Sequence, residues 1–120
     1  MRFMLIRRAD AQTEAGVLPD REMLSAMLKY NQEMADAGVF IEGVGLRDTS
    51  RGARVKITGS TPIVTDGPFT ETKELIAGFT LIRANSLADA IAWVKKWPAL
   101  DAGAEIEVRQ LFEPEDFQQK

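Results

Sequence analysis

Ile76-Ala77-Gly78-Phe79-Thr80-Leu81-Ile82-Arg83, followed two residues later by Ser86-Leu87-Ala88-Asp89-Ala90-Ile91-Ala92-Trp93-Val94, sets a strand directly before a helix. The first stretch is an apolar run of strand length, with Phe79 and Leu81 inside it. In the second, Ser86 and Asp89 have the spacing of a capping box. Leu87, Ala90, Ile91 and Val94 then recur at helical spacing. Trp97-Pro98 closes the helix, because the residue before a proline is driven out of the helical region. Ala104 to Phe112 follows as a last strand. There Glu105, Glu107 and Arg109 alternate with Ile106 and Val108, so one face of it is polar. The second half of the chain therefore reads β-α-β.

The first half reads the same way. Phe3 to Ile6 is an unbroken apolar run between arginines and is expected to be a strand buried on both faces. Arg8 to Leu18 is polar, contains Gly16 and is expected to be a loop. A helix opens at Pro19-Asp20, where proline suits the first turn and the carboxylate the positive end of the dipole. Met23, Met27, Tyr30 and Met34 form its apolar stripe, widened by Leu24 and Leu28. Gly38 is placed to cap its end, and Val39 to Leu46 continues as a strand. Between the two halves, Ala53 to Ile57 and Pro62 to Thr65 make a hairpin around Gly59-Ser60. Thr70 to Leu75 has the length of one further helical turn.

Two β-α-β units flanking a hairpin predict an α+β, ferredoxin-like split βαβ sheet with both helices on one face. The domain spans 1–112, and 113–120 is a polar tail holding Phe117. The other sheet face then needs a cover for its apolar runs. A second copy of the chain is the simplest one, which predicts a homodimer.

The chain has 120 residues, 45% hydrophobic and 28% charged, which suits one globular domain rather than a disordered segment. It contains neither Cys nor His. Disulfides and thiolate chemistry are excluded, and the usual base near neutral pH is missing. Metal is not expected to matter, since only carboxylate-oxygen sites remain, which suit Mg or Ca rather than Zn. No cofactor is implied. The net charge of −3 argues against a nucleic-acid partner. Arg47, Arg51, Arg54 and Lys56 form a short basic run that a solvated loop and strand face explain. The opening Met1 to Arg8 is too short an apolar run for a signal peptide or a membrane span, so a cytoplasmic location is expected.

The densest candidate site is Val64-Thr65-Asp66-Gly67-Pro68-Phe69-Thr70-Glu71-Thr72-Lys73-Glu74. It puts a carboxylate on a Gly-Pro turn beside an aromatic ring. Desolvation there would raise the carboxyl pKa and suit acid or base work. Turn chemistry alone also accounts for Asp66, because Asp before Gly bonds to its own backbone. Glu71, Lys73 and Glu74 read equally as a solvated turn. Pro68 restricts Gly67 to conformations that other residues avoid, which stiffens the loop. Glu42, inside an apolar strand, calls for a partner such as Arg7, Arg83 or Arg109. Tyr30, Trp93 and Trp97 read as core or interface rather than a ligand cage, and the methionine stripe as core. Gly43-Val44-Gly45 lacks the third glycine and following helix of a phosphate loop.

The stretch from Val64 to Glu74 resembles the signature of the YCII-related family, in its DGPF branch. Met1-Arg2-Phe3-Met4-Leu5, Lys29-Tyr30-Asn31 through Ala37-Gly38-Val39, and Gly52-Ala53-Arg54-Val55 resemble it as well. So do Ile76-Ala77-Gly78-Phe79 and Glu105 through Gln110. The resemblance spans nearly the whole chain and implies a ferredoxin-like fold that pairs as a dimeric α+β barrel. Members of the branch are often encoded beside extracytoplasmic-function sigma factors. Distant relatives are thought to use a His-Asp pair, which a chain without His cannot carry. Only the carboxylate, at Asp66, is carried over.

Two functions follow as expectations. The first is a small-molecule-binding domain, extending to a cofactor-free enzyme. Asp66 would be its acid or base, and Arg7, Glu42, Phe69 and Lys73 would contact the ligand, with Arg7 or Lys73 orienting an anionic one. The second is a regulatory partner of another protein, such as a sigma factor. A concave pocket lined by Phe69 and charged side chains favours the first, and an exposed apolar patch without a pocket the second.

Overall fold

The computed structural model of the chain describes residues 1–71 and 74–118. Among these residues, six strands and three α-helices run in the order β1 (Arg2–Arg8), α1 (Ala11–Glu14), α2 (Arg21–Asp36), β2 (Phe40–Gly45), β3 (Ala53–Lys56), β4 (Ile63–Asp66), β5 (Ile76–Arg83), α3 (Leu87–Val94) and β6 (Ile106–Gln110). The main sheet has the order β2-β5-β1-β6. All three of its pairings are antiparallel. This is the strand order of the split βαβ arrangement expected above. β3 and β4 pair only with each other, as a separate two-stranded sheet.

Register explains where the core sits. Phe3 faces Ile82 across the sheet, and Leu5 faces Thr80 on one side and Val108 on the other. Cross-strand partners share a face, so these side chains point the same way. They meet Tyr30 and Met34 of α2 and Ala90 of α3 in one buried cluster. Both helices therefore cover the same sheet face. Tyr30 fits because its hydroxyl donates to the Trp93 carbonyl at 2.6 Å. Burial, and then the charge of Glu33, pushes its pKa up to about 12.

The opposite face carries Met4, Ile6, Phe79, Leu81 and Val44, aligned by the same register. Among the described residues no helix covers it, so β1 is buried on one face rather than on both as its apolar run suggested: Phe3 and Leu5 are buried, while Met4 and Ile6 are half-exposed.

Helix ends follow local chemistry. Asp20 caps α2 by accepting from the Met23 amide at 2.8 Å, and Gly38 after it has φ +74°. Ser86 caps α3 by accepting from the Asp89 amide. The stretch expected as a plain loop, Arg8 to Leu18, contains α1. Asp10 and Thr13 cap each other reciprocally there, a capping box that the polar composition concealed. The turn expected over 70–75 includes Thr72 and Lys73, which lie outside the described residues. The tail begins with a 3₁₀ turn, Pro114–Phe117, tied to β1 by an ion pair between Arg2 and Glu113 at 2.7 Å. Among the described residues no helix is long and apolar enough to cross a membrane.

Candidate functional site

α2 packs tightly on the sheet only through its C-terminal half, where Tyr30 and Met34 are buried. Its N-terminal half stands over β2 and the start of β5, where the sheet is built from Gly43, Gly45 and Gly78. Side chains are missing from the floor just where the helix rises, and a groove of about 960 Å³ results. Met23, Met27 and Asn31 form its roof, Thr80 and the glycines its floor, and the segment from Gly16 to Asp20 one wall. Gly78 is needed there because a Cβ would stand 2.7 Å from the Val44 carbonyl oxygen of the neighbouring strand. A Cβ on Gly45 would meet nothing within 4 Å.

The far wall is a charged clamp. Arg7 Nε and Nη2 donate to Asp101 Oδ2 and Oδ1 at 3.2 and 2.6 Å, a bidentate fork. Its Nη1 donates to the Arg8 carbonyl at 2.7 Å and to Asp10 Oδ2 at 3.2 Å. Trp97 Nε1 donates to Asp101 Oδ2 at 3.0 Å. Burial pushes the Asp101 carboxyl up, but the hydrogen bonds from Arg7 and Trp97 and the charge of Arg7 outweigh it and hold the group below its ordinary value. Asp10 is also held low, first by the Thr13 amide and then by Arg7. Both carboxyls are therefore ionised at neutral pH. The arrangement offers shape, apolar surface and fixed charge.

The loop containing Asp66 does something else. Thr49, in the 3₁₀ turn Thr49–Arg51, is its hub. The Thr49 hydroxyl accepts from the Phe69 amide at 2.9 Å and donates to the Glu14 carboxylate of α1. The Thr49 amide also donates to Glu14, at 3.2 Å. The Gly67 amide donates to the Gly52 carbonyl at 3.0 Å. The Arg54 guanidinium lies 3.9 Å from the centre of the Phe69 ring and 3.5 Å from Glu71. Gly67 has no positive φ. It is required for a different reason than the stiff-turn argument supposed: a Cβ would lie 1.7 Å from the Thr49 carbonyl oxygen.

Of the residues singled out by sequence, Arg7 lines the groove. Asp66 is the last residue of β4, opposite Ala53, exposed and outside the groove lining. Phe69 is half-buried under Arg54, also outside it. Glu42 lies on edge strand β2 opposite Leu81 and is exposed. Water reaches it there, so it needs no partner; among the described residues it pairs with none of Arg7, Arg83 or Arg109. Lys73 lies outside the described residues. Sequence reasoning passed over Asp101; Trp97 and Met27, read as core, do pack against the core cluster and also line the groove. Asp101 stands in a loop with no motif, 94 positions from Arg7, and only the β1–β6 pairing brings them together.

A search of curated proteins finds no match. Among solved structures, the chain is similar in fold to a 5-chloro-2-hydroxyhydroquinone dehydrochlorinase (TftG) from Burkholderia phenoliruptrix AC1100, solved in complex with 2,5-dihydroxybenzoquinone. The TM-score is 0.53 at 15% sequence identity, over 97% of this chain and 98% of that one. The YCII-related domain matches residues 1–114. With nearly its whole length matched, this chain belongs to the YCII-related domain family.

Proposed function

We propose that the chain is a small-molecule-binding domain whose ligand occupies the groove between α2 and the glycine floor. The groove itself carries this reading. Its size, about 960 Å³, falls in the range of ligand sites, and its floor is cleared by glycines rather than filled by side chains. That a similarly folded enzyme was solved with a benzoquinone supports a small-molecule role, extending to catalysis. Arg7 here is a positioning residue that holds the wall through Asp101. A fragment titration followed by amide chemical shifts tests the reading. Perturbations should cluster at Asn31, Gly43, Gly45 and the Trp97 indole; shifts confined to the open sheet face would overturn it.

Asp66 separates this site from the signature loop. Asp66→Asn is expected to change stability by less than about 0.5 kcal/mol, as an exposed substitution, and to leave fragment binding unaltered. A loss of binding above tenfold would return Asp66 to the site.

The homodimer belongs to the same reading. The open sheet face presents Met4, Ile6, Phe79 and Leu81, rimmed by Arg2, Arg83, Glu107 and Arg109. The Cα radius of gyration is 16.6 Å, against about 13.5 Å for a compact chain of this length. Pairing through this face, as a dimeric α+β barrel, would cover the apolar surface. Sedimentation should give a dimer at micromolar concentration, and Leu81→Glu should give a monomer; a wild-type monomer there would exclude the pairing.

A second reading has its own observation. Val55, Ile57, Ile63 and Val64 of the hairpin are all more than half exposed. An apolar arm of this kind suits contact with another protein, as a regulatory partner would make.

A further inference from the structure

Arg7 was the obvious receptor for an anion, and its bonding leaves it unable to serve. A guanidinium has five N–H donors. Four of these in Arg7 go to Asp101, the Arg8 carbonyl and Asp10. A ligand carboxylate or phosphate wants two parallel donors on one edge, and one N–H remains. The charge around the groove points the same way. Its described lining carries five carboxylates, at Asp10, Asp20, Glu22, Asp48 and Asp101, against two guanidiniums, at Arg7 and Arg47. The N-terminus of α2, otherwise attractive to anions, is already capped by Asp20 and followed by Glu22.

Much of the remaining lining is apolar and adaptable, above all Met23, Met27 and the Trp97 ring, beside the neutral polar Gln12, Thr13 and Thr80. One polar group there is left over. Asn31 Oδ1 is buried without a hydrogen-bond partner among the described residues. A buried acceptor left so is costly, and turning the Asn31 amide toward the groove it lines would let a ligand N–H or O–H satisfy it.

We propose that the groove selects a neutral or cationic, largely apolar molecule carrying a hydrogen-bond donor for Asn31, and rejects anions. This rests on the groove being the binding site. Three probes sharing one ring system test it: 2-naphthol, 2-naphthylmethylamine as its ammonium ion, and 2-naphthoate, titrated by calorimetry against the full chain. The naphthol and the ammonium ion should bind at least tenfold more tightly than the carboxylate, since like charges brought together are strongly disfavoured. Asn31→Ala should weaken naphthol about fivefold, the worth of one hydrogen bond. Gly45→Leu should abolish binding of all three, because its side chain enters open space in the groove; Gly45→Ala serves as a smaller obstruction should folding suffer. Naphthoate binding as tightly as naphthol, yet blocked at Gly45, would overturn the selectivity and leave the site standing. Binding indifferent to Gly45, or no binding of the neutral and cationic probes at millimolar concentration, would overturn the site as well.

Discussion

Gly67→Ala should destabilise the protein by about 3 kcal/mol, the upper end of the range for forcing an atom into a filled place. The new Cβ would stand 1.7 Å from the Thr49 carbonyl oxygen and 2.6 Å from its carbon. Both are backbone atoms, so no rotamer change relieves the contact. The loop must lift from the Thr49 turn, breaking the Gly67–Gly52 and Phe69–Thr49 hydrogen bonds and unstacking Arg54 from Phe69. Because Thr49 also holds Glu14, the loosening should reach α1. Gly52→Ala is the matched control: the nearest atom to its Cβ is 3.8 Å away, and its cost should stay below about 1 kcal/mol. Urea unfolding of the two variants checks this. Equal midpoints would mean that the loop is held otherwise than through Thr49.

Arg7→Ala should cost a similar amount, about 3 kcal/mol, for an electrostatic reason. The side chains of Arg7 and Asp101 are only 13% and 17% exposed. Removing the guanidinium leaves an ionised carboxylate half-enclosed without its counter-charge, the case in which breaking a buried pair is strongly destabilising. Asp101→Asn should be milder, about 2 kcal/mol: the amide oxygen still accepts from Trp97 and Asp10 still pairs with Arg7, but the new NH2 meets the Arg7 Nη2 donor to donor. The same pair contributes to the acid limit, alongside the carboxyls of Asp48, Glu107 and Glu113, which are also held low. Asp101 and Asp10 titrate below their ordinary values in the folded chain, so the unfolded chain takes up their protons first. Their contribution is complete above the unfolded value of about 3.9 and is lost as pH falls through the lower folded values. Thermal melts of the native chain should thus decline below about pH 4, and Asp101→Asn should show a shallower decline. A decline of unchanged steepness in that variant would remove Asp101 from the acid limit.

Elements whose cause is local were legible in the chain itself. Asp20 and Ser86 announce the starts of their helices, Gly38 the end of one. The apolar runs at Phe3 and Ile76 are strands, and their alternation with helices dictates the split βαβ order. The capping box at Asp10 and Thr13 was equally local, and was hidden only by the polarity of its surroundings.

The Asp66 stretch shows where local reading stops. A carboxylate on a Gly-Pro turn looks like a site, but whether it faces a cavity depends on what lies opposite, and opposite it lies Ala53 of an exposed hairpin. Gly67 is demanded not by its own dihedral angle but by a carbonyl from 18 positions earlier. The groove has no motif because it is made largely of absence, glycines from β2 and β5 beneath a helix that lifts away. Arg7 was visible as a charge in a strand; that Asp101 consumes two of its donors was decided by strand pairing. Sequence patterns report what one residue does with its near neighbours along the chain. The partners that turn a charge into a clamp, or a glycine into a floor, are supplied by tertiary contact.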